Sequence, residues 1–114
     1  MKYIFFIFAL LAQGTLSAER IKWVHKPQLS FDEQSRKWHV KFEIDSLSDV
    51  EVAMVDPADS TIVRHLAAGV LGPKAPSPLK PNALAQRIEW NGKDDYRNPV
   101  RNASEMVARV RVGM

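Results

Sequence analysis

KWHVKFEID, Lys37 to Asp45, is the stretch on which the fold turns. Trp38, Val40, Phe42 and Ile44 take alternate positions, with His39, Lys41, Glu43 and Asp45 between them. Successive side chains of a strand point to opposite faces, so strict alternation predicts a strand with one buried face and one polar face. Downstream, Ser46-Leu47-Ser48-Asp49 reads as a hairpin connection into VEVAMVD, Val50 to Asp56, where Val50, Val52 and Met54 share a face. Asp56-Pro57-Ala58-Asp59-Ser60 is a turn, because Pro57 fixes φ and the Asp and Ser side chains bond nearby backbone. TIVRHL, Thr61 to Leu66, is a further strand rich in β-branched residues. Upstream, the short β-type run between Arg20 and Lys26 is expected to stop at Pro27. The pattern leaves open whether Glu19 to Ser35 adds a strand or trails from the domain.

Beyond Leu66 the rhythm breaks. Pro73, Pro76, Pro78 and Pro81 fall within GPKAPSPLKP. Proline cannot donate to a ladder, so this segment should cross the surface as an extended connection. Alternation resumes at Leu84 to Trp90, with Leu84, Gln86, Ile88 and Trp90 on one face and Ala85, Arg87 and Glu89 on the other. Asn91-Gly92 is a turn dipeptide that offers positive φ. Lys93 to Asn102 is polar and irregular. The final strand, in EMVARVRVGM, turns Met106, Ala108, Val110 and Val112 inward and Arg109 and Arg111 outward. About six or seven short strands separated by turns, with no helical period, predict an all-β antiparallel sandwich.

The first eighteen residues stand apart. Lys2 precedes an unbroken apolar run, Ile4 to Leu11, and Leu16-Ser17-Ala18 follows just before Glu19. This order is that of a secretory signal peptide at 1–18, cleaved after Ala18. The run is shorter than the roughly 20 apolar residues a spanning helix needs, so no membrane span is expected after cleavage. One domain at 19–114 remains, with a secreted or periplasmic location. Taking Lys2 from the 16 Lys and Arg leaves 15 against 13 acids, about +2. These charges are scattered, without the basic stripe and stacking aromatics that nucleic acid requires. With no cysteine in the chain, disulfides, thiol redox chemistry and cysteine-based zinc sites are excluded, and the core alone must hold the domain.

Three stretches together resemble the immunoglobulin-like domain of the flagellar hook-capping protein (FlgD) family. VEVAMVDPADSTIVRHLAAG, Val50 to Gly69, looks like that domain's hairpin. IEWNGKDD, Ile88 to Asp95, is similar to the family's Trp-Asp-Gly-Lys-Asp stretch, and VARVRVGM resembles its final strand. Tyr96-Arg97-Asn98 stands where the family usually has a second glycine. The resemblance implies an immunoglobulin-like sandwich that serves exported bacterial proteins as a spacer, assembly surface or sorting module.

Sites of chemistry are scarce. His25, His39 and His65 fall on three different predicted strands without metal-ligand spacing, and His39 is placed on a polar face. Asp94, Asp95 and Glu89 could form an oxygen-rich calcium loop, but Lys93 sits among them and alternating Asp-x-Asp is missing. Two acids solvating a turn is the better reading. No serine stands in a glycine-rich elbow. Trp38 and Trp90 belong to inward rows, whereas the sequence leaves the face of Trp23 open. Asn102-Ala103-Ser104 fits the glycosylation acceptor pattern, which the resemblance to a bacterial family implies is a chance match. The expectation is therefore a non-catalytic structural module without cofactor or metal, whose partner is another exported or cell-envelope protein met through edge strands and the Pro-rich crossing. The alternative is a carbohydrate-binding module, which would need Trp23 or Tyr96 on an exposed flat face.

Overall fold

The computed structural model describes residues 21–114. The signal peptide expected at 1–18 and the cut after Ala18 lie outside the described residues. The chain forms β1 (Trp23–Asp32), β2 (Lys37–Ile44), β3 (Asp49–Asp56), β4 (Thr61–Val70), β5 (Ala85–Trp90) and β6 (Val107–Val112), with one 3-10 turn at Ala103–Glu105. Two antiparallel three-stranded sheets result, in the orders β1-β2-β5 and β4-β3-β6. The all-β sandwich expected from alternation is present, with six strands. In immunoglobulin notation these are the places A-B-E and C′-C-F, so the seat beside β6 that strand G takes in that fold holds no described strand.

Each sheet begins with a hairpin of the same design. The loop Glu33 to Arg36 joins β1 to β2, and Pro57 to Ser60 joins β3 to β4. Both open on an aspartate whose carboxylate accepts from the backbone two residues on: Gln34 N–H to Asp32 at 3.0 Å, and Ala58 N–H to Asp56 at 2.9 Å. Both close with a residue at positive φ, Arg36 at 58° and Ser60 at 64°, whose N–H donates to the opening aspartate's carbonyl at 2.8 Å. An Asp at the first position and a left-handed residue at the fifth thus reverse the chain twice.

Two expectations change. Ser46 to Asp49 is not a hairpin connection, since β2 and β3 lie in different sheets and the segment passes from one to the other. Hairpins and sheet-to-sheet corners use the same polar turn residues, which is why the pattern misled. Pro27 does not end its strand, because β1 runs through it along the sheet edge, with a register shift between His25 and Gln28 that spans it. An edge position and a bulge are the two settings in which a strand tolerates proline. Of the turn dipeptide Asn91-Gly92, only the glycine takes positive φ, at 81°, and the chain proceeds to the opposite sheet.

The core lies between the sheets. Val40, Phe42, Ile44 and Ile88 from one sheet meet Val50, Val52, Met54 and Val110 from the other. Phe31, Trp38 and Trp90 stack across one end, at centroid distances of 4.9 and 6.2 Å. Trp90 is fully buried, and its indole N–H donates to Lys93 O at 2.8 Å. The Pro-rich crossing closes another flank with buried Leu71 and Leu79. A Cβ on Gly69 would stand 2.5 Å from the Pro76 ring, so this glycine marks a close approach of strand and crossing.

Candidate functional site

The histidines and acids singled out in the sequence do not converge. His25 lies near Glu43 on sheet β1-β2-β5, with Nε2 to Oε1 at 3.7 Å. His39 is buried, which corrects its placement on a solvated polar face. It does point to the outer side, but Arg87 and Glu89 from β5 close over it. Arg87 donates to His39 Nδ1 at 3.3 Å, and His39 Nε2 faces Glu89 at 3.5 Å. Glu89 also meets Lys37 at 3.5 Å. Its carboxyl is held below the usual range, first by the His39 hydrogen bond and then by the Lys37 charge. Among the described residues no group of three His, Cys, Asp or Glu is placed to hold a metal ion.

Asp94 and Asp95 shape the connection from β5 to β6 and anchor it. The Asp94 carboxylate accepts from Tyr96 N–H and Asn98 N–H, both at 2.9 Å, which closes the turn on itself. Asp95 reaches the outer edge of β4. Its N–H donates to Val63 O at 3.0 Å, and its carboxylate accepts from His65 N–H at 2.9 Å. His65 Nδ1 meets the other carboxylate oxygen at 2.6 Å, and Arg64 donates to Asp94 O at 3.2 Å. Two of the backbone groups an edge strand leaves free are thereby occupied by one residue. The His65 N–H bond is the main reason that the Asp95 carboxyl lies below its ordinary range. The sequence signal for this contact was the acidic pair itself; its target, thirty residues earlier, carries none.

The four edges of the sheets differ, and β5, like β6, keeps an unbroken register with its one partner. Both ten-residue edge strands, β1 and β4, carry two register shifts each, and bulges of this kind disturb further pairing. β6 keeps an unbroken register with β3 from Val107 to Val112, and its other side pairs with no described strand. Along the outer face beside it, Val107 is partly exposed, and Arg109 and Arg111 share Glu51 at 3.3 and 2.7 Å.

The tryptophans serve packing. Trp23, the one without a face in the sequence, stands edge-on to Phe42 at 6.2 Å and packs against the core. Tyr96 is 84 % exposed at the tip of the β5–β6 connection. The chain matches no family model, no curated protein and no solved structure.

Proposed function

We propose that this protein is a non-catalytic assembly module of the secreted or periplasmic fraction, which takes a strand from another exported protein onto the free edge of β6. The observation that carries this reading is the regular, unpaired edge of β6, at a place where the immunoglobulin arrangement seats one more strand. Strand addition of this kind draws affinity from main-chain hydrogen bonds and specificity from alternate side chains. Val107 would contact the incoming side chains, and the Glu51–Arg109–Arg111 group would select their charge. The resemblance of Val50 to Met114 to the hook-capping family's immunoglobulin-like domain supports the same class of role.

The test is recovery of the partner with the chain from Glu19 to Met114, followed by amide hydrogen exchange on the complex. New protection along β6, lost with Val107→Asp, is the expected result. Protection confined to other surfaces would refute the β6 edge. Retention on polysaccharide that disappears with Tyr96→Ala would replace the assembly reading with carbohydrate binding.

A further inference from the structure

A groove of about 660 Å³ lies on sheet β1-β2-β5 and is lined by residues of β1, β2, β5 and the Pro-rich crossing. Lys26, Lys41, Lys80 and Arg87 line it, against Glu43 as its sole carboxylate. Four fixed cations against one acid leave an excess of three positive charges. Glu43 lies 3.7 Å from His25, and none of the four cations forms an ion pair among the described residues.

The strand registers single out two of these cations. Five cross-strand pairs join two ionisable residues. His25–Glu43, Asp32–Lys37, His39–Glu89 and Glu51–Arg111 are complementary, whereas Lys41–Arg87 sets two cations side by side. Directly opposed like charges on one face destabilise a sheet. Folding alone gives no reason to keep this pair, but an anion seated between the two gives one. The seat is also braced. Arg87 is held from behind by His39 at 3.3 Å. Lys80 is fixed at its backbone by buried Gln86, which accepts from its N–H at 2.8 Å and donates to its carbonyl at 2.9 Å.

We propose that this groove binds a phosphorylated ligand, with the phosphoryl group between Lys41 and Arg87. Charge excess favours a dianion over a single carboxylate, and Arg with Lys is the pairing that phosphate recognition uses. An acidic peptide strand fits less well, since it would need a free backbone edge and β2, at the centre of this sheet, has ladders on both sides. The groove is open to solvent along one side, and its volume leaves space for a sugar-sized group beside the phosphate. Val24 and Ala85 supply apolar contact for it.

The same chemistry is found on soluble phosphosugars and on lipid headgroups, and a titration followed by amide NMR separates them. The probes are a hexose 6-phosphate, the unphosphorylated hexose, and vesicles of phosphatidylglycerol or of phosphatidylcholine. Saturable shifts around Lys41, Ala85 and Arg87 with the hexose phosphate, and none with the hexose, are expected for a soluble ligand. Binding of phosphatidylglycerol vesicles but not phosphatidylcholine supports the site with a headgroup as its source. Lys41→Gln and Arg87→Gln should each weaken binding about 10-fold or more. Lys41→Gln removes a like-charge contact and leaves the Arg87–His39 bond in place, so its Tm should hold or rise by about 1–4 °C, which separates loss of binding from loss of fold. Arg101→Gln, outside the groove, should bind as the parent does. The proposal is overturned if no probe gives saturable shifts in the groove, if both groove variants bind normally, or if Arg101→Gln weakens binding equally.

Discussion

Arg36 and Ser60 occupy backbone conformations that favour glycine, at φ 58° and 64°. Replacing Ser60 by Gly relieves that cost but loosens the unfolded chain, and the net gain should be up to about 1 kcal/mol, read in urea unfolding. Gly69→Ala should act in the opposite direction. Its new methyl group meets a proline ring that cannot swing aside, so a loss of about 1–3 kcal/mol is expected in the same measurement. The inward rows were legible residue by residue, because Val40, Phe42 and Ile44 or Gln86, Ile88 and Trp90 alternate without interruption and are buried. What was not legible depends on neighbours remote in sequence. His39 looks solvated on its own strand, and only β5, nearly fifty residues later, brings the Arg87 and Glu89 that cover it.

At the scale of elements, Gln86 does more than fill an inward position. It ties β5 to the Pro-rich crossing through Lys80 N–H, Lys80 O and Ala83 O, all within 2.9 Å. Gln86→Leu keeps the apolar contact and strands those groups, so it should destabilise by about 1–3 kcal/mol and speed amide exchange at Lys80. Strand existence was readable in β2, β3, β5 and β6 because one side of each is buried, and period two records that directly; β4, with no fully buried side, was readable only from its β-branched residues. Strand partnership was not. The polar segment Ser46 to Asp49 obeys hairpin chemistry while serving as a corner, and Pro27 signals a break that the sheet edge absorbs as a bulge. Local composition describes how a chain turns; which sheet it then enters is decided by the packing of β5 and β6, far downstream.

For the molecule as a whole, stability should depend on acid. Asp32, Asp59, Glu89 and Asp95 are all held below their ordinary pKa values, first by hydrogen bonds from Gln34 N–H, the Thr61 hydroxyl, His39 and His65 N–H respectively. A carboxyl whose pKa is lower folded than unfolded stabilises the fold at neutral pH, and that contribution is lost as protons bind the native state. Urea midpoints should therefore stay level from pH 7 down to the ordinary carboxylate range near about 4 and decline below it. Asp95→Asn should make the decline shallower, because its amide has no charge to lose. A steeper decline in that variant would mean that Asp95 is not among the groups responsible.

The plug that Asp95 places on β4 also sets the valence of sheet β4-β3-β6. A sheet open at both margins can be lengthened from either side, so each copy could recruit the next and growth would have no natural end. With Val63 and His65 already engaged, this sheet can grow only past β6. An attachment there yields a finite pair rather than a fibre. The short acidic turn, which forms no group of three metal-ligating residues among those described, is on this account a chain terminator.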